Sequence, residues 1–183
     1  QANSQSFGYI QDMDWTILYN PLLLASNIEQ SYIDHPAYTI FFIFSICLKV
    51  INFFSQDLNI NVLNLLDNNP KENFQNIFVY LRIINSIFIF LIFLIIFKIL
   101  KLFDIPVFYN IFILLFFLFF DSVYQLLFLL RTEALSVLLF LISNYFIMKF
   151  FKKKFKKRYI VISSIFFTLT ILTKTQAILL FLS

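Results

Sequence analysis

The sequence predicts an all-α fold: a polytopic membrane helix bundle with an extracytoplasmic loop that carries a juxtamembrane helix. Three observations carry that expectation. The chain is 61% hydrophobic and only 13% charged, about half the charged share of an ordinary soluble domain. Its apolar runs reach the roughly 20 residues that a hydrocarbon core of about 30 Å requires. Its charges are also sorted along the chain. Residues 1–76 hold seven acids and two bases, whereas residues 77–183 hold twelve bases and three acids. The net charge of +4 therefore reports membrane sidedness, not nucleic-acid binding.

Residues 1–36 are mixed and polar, and read as an extramembrane loop with short helices. "HPAYTIFFIFSICLKVINFF" over 35–54 is an apolar helix opened by Pro36, a residue suited to a first helical turn. Residues 55–76 form an Asn-rich polar connection containing Pro70. The clearest spanning helix covers 77–101. "PVFYNIFILLFFLFF" (106–120) follows a turn, and "SVYQLLFLL" (122–130) follows Asp121. A helix over 134–151 leads into the basic run "KKKFKKR" (152–158), and a last helix runs from Tyr159 to Lys174. As domains, 1–76 is an extracytoplasmic loop with a juxtamembrane helix at about 36–54, and 77–183 is the transmembrane part of one membrane domain. The chain lacks an initiator Met and a signal peptide and stops inside "AILLFLS". It is read as an internal piece of a longer polytopic protein.

Basic residues set the orientation. Lys152, Lys153, Lys154, Lys156, Lys157 and Arg158 share one short loop, and such loops stay cytoplasmic. Sixteen residues separate Arg158 from Lys174, about 24 Å of helix, which carries Lys174 to the outer interface. Counting back, Arg131 and Glu133 lie outside, Lys98 and Lys101 mark a second cytoplasmic turn, and 55–76 lies outside. If 36–54 spanned, the acidic N-terminal loop would fall inside. Its Ser45, Lys49 and polar flanks fit a helix lying in the outer interface. Asp12, Asp14 and His35 then share the outer side with Arg131, Glu133 and Lys174.

The candidate chemistry sits on that side. Asp12 and Asp14 point the same way only in extended or turn backbone. There they would share a divalent cation (Mg or Mn), or one would act as general base. Two solvated loop acids are the plainer explanation. In "IDHP", Asp34 fits a helix N-cap, and His35 fits phosphate binding or a structural role. In "RTE", Thr132 and Glu133 suit a helix start, while the fork of Arg131 suits phosphate oxygens as well as snorkelling. Arg82, inside a spanning helix, is a functional candidate by position. Lys174 is a cation or an interfacial anchor. Cys47 is the sole cysteine and His35 the sole histidine, which excludes disulfides and Cys/His metal sites.

In order along the chain, these stretches resemble the GT-C superfamily of polyprenyl-phosphate-dependent glycosyltransferases, in its protein mannosyltransferase and aminoarabinose transferase branch. "YIQDMDW" matches the family's catalytic Asp in the first extracytoplasmic loop, and "DHPAYTIFFIFSI" its HPP-like juxtamembrane motif. "VYLRIINS" matches an Arg at a helix start, "LLRTEALSVLLFLISNY" an R-S/T-E motif, and "TILTKTQAILLFL" a TK element. Ala37 replaces the family's second proline.

The resemblance implies an inverting hexosyl or pentosyl transferase with Asp12, or secondarily Asp14, as base. His35, Arg131, Lys174 and Arg82 would bind the donor phosphate, and Glu133 and Asp34 would support them. It implies a polyprenyl-phosphate-linked sugar as donor and a lipid, glycan or protein acceptor. The expected setting is a bacterial inner membrane with a periplasmic site, or the endoplasmic reticulum lumen in a eukaryote. The rival readings are a polytopic transporter and a structural subunit of a membrane complex.

Overall fold

The computed structural model describes residues 12–29, 37–54, 60, 70–152 and 155–174, with residues 12–14, 70, 71, 122, 124 and 128 described by backbone alone. Among these residues the fold is all-helical. The helices are α1 (Asp12–Ala25), α2 (Tyr38–Phe54), α3 (Pro70–Leu102), α4 (Val107–Leu118), α5 (Asp121–Phe128), α6 (Thr132–Lys152) and α7 (Lys157–Thr173). Two of them, α3 over Glu72–Leu102 and α6, are long and apolar enough to cross a membrane.

Local chemistry sets the helix ends. Glu72 in the first turn of α3 and Lys101 in its last complement the helix dipole, as do Glu133 and Lys149 with Lys152 in α6. The chain has one glycine, so left-handed positions fall to other residues. Asn27 (φ 58°), Asp104 (φ 58°) and Phe155 (φ 53°) take them. After α1, the Ile28 N–H donates to the Leu23 carbonyl at 2.8 Å, closing a Schellman-type end around Asn27.

The α6–α7 pair is an antiparallel hairpin. At its middle the Ser143 hydroxyl donates to the Ser163 carbonyl (3.1 Å), and the Ser163 hydroxyl donates to the Ser143 carbonyl (3.0 Å). Both serines are buried, and small hydroxyl side chains let two backbones approach closely. Glu133 meets Lys174 at one end, and Lys149 reaches the Tyr159 ring at the other. Helices α3 and α6 run side by side in the same direction. Near one end, Asn85 of α3 donates to the carbonyls of Leu126 (2.7 Å) and Leu129 (3.3 Å), just ahead of α6. At the other end, Lys152 donates to the Leu102 carbonyl and pairs with Asp104 at 3.0 Å. Helices α4 and α5 make the return between them.

This arrangement sorts the charges of α3, α6 and α7 to two ends. Residues 83–97, 134–148 and 159–173 are three stretches of fifteen residues with no Asp, Glu, Lys or Arg, each about 22 Å of helix.

Helix α1 differs from the sequence expectation. The 1–36 region was expected to be a polar loop with short helices, yet no residue from 15 to 25 is exposed. Ile17, Leu18 and Leu22 join Phe41, Phe44 and Leu48 of α2 and Ile77 and Leu81 of α3 in one core. Full burial of each such side chain is worth about 1.5–3 kcal/mol against water. Because α1 is covered all round, its sequence shows no amphipathic period. Helix α3 also begins at Pro70, seven residues before the expected 77. The polar turns it gains carry no hydropathy signal, but they start on a proline and an early acid. The other expected boundaries hold within about two residues, within the usual ambiguity of helix ends. Helix α2, at 17 residues, is shorter than the two long apolar helices. Its Phe44 stacks on Phe88 of α3 with centroids 6.0 Å apart.

Candidate functional site

The residues that the sequence singles out gather, where they are described, at the end of the bundle away from Lys152. Thr132 and Glu133 open α6, and Lys174 closes α7. The antiparallel offset of that hairpin brings the Lys174 ammonium to 2.5 Å from Glu133 Oε1. The Thr132 hydroxyl lies 3.5 Å from the other carboxylate oxygen. Arg131 precedes α6, and its charge acts on the same carboxylate. Together Arg131, Glu133 and Lys174 carry one net positive charge, held half-buried at a helix junction.

Arg131 and Glu133 line a cavity of about 370 Å³ with Gln125, Leu126 and Leu129. Gln125 is held by Asp121, to whose carboxylate it donates at 2.8 Å. Leu126 also belongs to the wall of a second hollow, a groove of about 470 Å³ between α3, α4, α5 and α6. That groove follows α3 from Ile89 to Leu100 and includes Phe93, Phe117, Val137 and Leu141. Every side chain on it is hydrocarbon. The eleven helical rises from Ile89 to Leu100 make it about 16 Å long, and both hollows fall in the size range of ligand pockets, about 300–1,000 Å³. A charged cavity and an apolar groove meeting at one leucine fit an amphiphile with an anionic head.

Arg82 lies one turn before Asn85 on α3. Its guanidinium stacks over the Phe78 ring at 4.1 Å, a cation–π contact that holds the charge near the helix surface. Trp15 of α1 packs edge-on against Phe74, one turn further up α3, with centroids 5.8 Å apart. The backbone of Asp12 and Asp14 is thereby tied to the end of α3 that carries Arg82.

That backbone corrects one expectation. Asp12 and Asp14 were expected in extended or turn backbone, but both lie in the first turn of α1. Positions two apart on a helix are turned about 200° from each other, so the backbone there is helical and not the extended or turn form the expectation rested on. Asp34 and His35 lie outside the described residues. Among the described residues no three His, Cys, Asp or Glu side chains gather as for a metal. Arg131, Glu133 and Lys174 are thus brought together, and Arg82 lies on α3 over the Phe78 ring.

Sequence reasoning missed Asn85 and Gln125. Asn85 is fully buried and fixes the end of α5 through the carbonyls of Leu126 and Leu129. A carboxamide amid "RIINSIFIF" was its visible signal, since such a group is costly in apolar surroundings. Compared with protein-family models, curated proteins and solved structures, the chain matches none.

Proposed function

We propose that this protein is an integral-membrane glycosyltransferase. It would move a sugar, with inversion, from a polyprenyl-phosphate-linked donor to an acceptor on the extracytoplasmic side. One observation carries the reading: the cavity of Arg131 and Glu133 and the apolar groove along α3 share Leu126 in their walls. A lipid phosphate needs that pairing. The reaction class comes from the order of the sequence motifs, "YIQDMDW" through "TILTKTQ".

In this reading α3, α6 and α7 cross the bilayer on their uncharged stretches. The isoprenoid chain lies in the groove and the phosphate sits at Arg131. Glu133, itself anchored by Lys174, holds that end of the site together. Leaving the sugar concentrates negative charge on the donor phosphate, and the Arg131 guanidinium beside it stabilises that charge. Arg82 and His35 are the further cations assigned to the donor, and Asp34 supports His35. By its place in the motif "YIQDMDW", Asp12 takes the acceptor's proton in this reading, with Asp14 second. Helix α2 lies beside α3 with Tyr38, Phe42, Ile46, Val50 and Phe53 turned outward, a stripe suited to lipid at the outer interface.

The test is transfer from a polyprenyl-phosphate sugar by the full-length protein in membranes. Asp12→Asn is expected to lower the rate about 10²–10⁴-fold, the usual contribution of a general base. Arg131→Ala is expected to weaken donor use without unfolding the bundle. Normal transfer by both Asp12→Asn and Asp14→Asn would overturn the assignment.

A further inference from the structure

The opposite end of the bundle carries a different chemistry. Lys98 and Lys101 stand exposed on the last turns of α3. Lys152 joins that end to α6 through the Leu102 carbonyl and Asp104. Lys149 lies over the Tyr145 ring at 4.6 Å, and Arg158 over the Tyr159 ring at 5.1 Å. Lys156 and Lys157 are exposed at the start of α7. Seven described cations therefore share this end, and Asp104 is the acid seen in contact with them.

Between them stands an aromatic knuckle. Phe150, Phe151 and Phe155 pack edge-on, with centroids 5.1 to 6.2 Å apart. Phe151 is 64% and Phe155 62% exposed. Phe155 sits at φ 53°, where a non-glycine residue costs about 1–2 kcal/mol. The strained turn holds a large ring outward beside lysines, an arrangement unfavourable in water. Rings at the acyl boundary with cations at the phosphate level would make it favourable.

We propose that the end of α6, Phe155 with the start of α7, and the adjoining end of α3 form a docking surface for anionic phospholipid headgroups. The lysines bind headgroup phosphates, and Phe151 and Phe155 enter the upper acyl layer between them. The surface is separate from the sugar-transfer site and shares with that reading only the placement of the chain in a bilayer.

The test reconstitutes the full chain in an equimolar mixture of phosphatidylcholine and phosphatidylglycerol, then weighs the lipids it retains on gentle release. Phosphatidylglycerol is expected to be enriched. The double variant Lys156→Gln/Lys157→Gln, and separately Lys98→Gln/Lys101→Gln, each lower that enrichment about 25-fold, from about fivefold per removed charge. Phe155→Gly keeps the turn's backbone angle and removes the ring, and retention is expected to fall about threefold. Equal retention of the two lipids by the inserted wild-type chain overturns this proposal alone. So does an enrichment that both double variants keep, or one that inorganic phosphate abolishes. A chain that alkaline carbonate strips from vesicles overturns the bilayer placement and this proposal with it.

Discussion

The two ends of the bundle use positive charge in opposite ways. At the Lys174 end, cations are few and individually fixed: Lys174 on Glu133 at 2.5 Å and Arg82 on the Phe78 ring. At the Lys152 end they are crowded, Lys98, Lys101, Lys156 and Lys157 stand exposed, and a single acid, Asp104, is seen among them. Fixed charge suits recognition of one group at one place, and crowded charge suits a field that attracts many like groups. The difference predicts that substitutions at the first end act on stability and site geometry. At the second they act weakly on the fold.

The largest effect is expected at Asn85. Asn85→Leu leaves the carbonyls of Leu126 and Leu129 without their donor, at about 2–4 kcal/mol for two weakened buried groups. Thermal unfolding in detergent, followed by a dye that reacts with the lone thiol Cys47, measures it. An unchanged midpoint would break the claim that this latch holds the site end. Glu133→Gln comes next. The pair is half-exposed, with 36% and 27% of the Glu133 and Lys174 side chains accessible. About 1–2 kcal/mol is therefore expected, below the cost of breaking a fully buried pair. A double-mutant cycle with Lys174→Met isolates the coupling.

At the other end, Lys152→Met removes a cap and a surface ion pair, and a loss of at most about 1 kcal/mol is expected. Phe155→Gly reverses the sign, because it relieves the left-handed backbone strain and raises stability by up to about 1 kcal/mol in unfolding free energy, and the midpoint with it. The smallest effect concerns Cys47 itself. Burial pushes its thiol up from the ordinary range, so the reactive thiolate is scarce at neutral pH. Maleimide labelling of folded protein is expected to lag the denatured chain, and the gap to narrow as pH rises.

Much of the helical layout was legible because its signals are local. Pro106, Asp121, Thr132 and the 152–158 basic run each mark a boundary within a residue or two. The pairing of Glu133 with Lys174 was not, because no periodicity announces which residues face each other across a hairpin. That contact follows from Ser143 meeting Ser163, two small residues whose closeness fixes the offset for everything along α6 and α7. Helix α1 was obscured for a different reason. Pro21 sits inside it, and neighbours cover every side, so neither the proline rule nor the 3.6-residue period pointed to a buried helix. The groove along α3 was equally hidden, since it is a space between Ile, Leu, Phe and Val side chains that look alike in sequence.

The three matched uncharged stretches have a consequence for the surroundings the bundle would choose. In a lipid matrix they act as a thickness gauge. Short acyl tails would fit the span between Lys98 and Arg82 with little tilt, whereas long tails would force tilting, local thinning or extension of the terminal lysines and arginines. The working optimum would then track tail length, and a cell could tune this protein by the fats it makes.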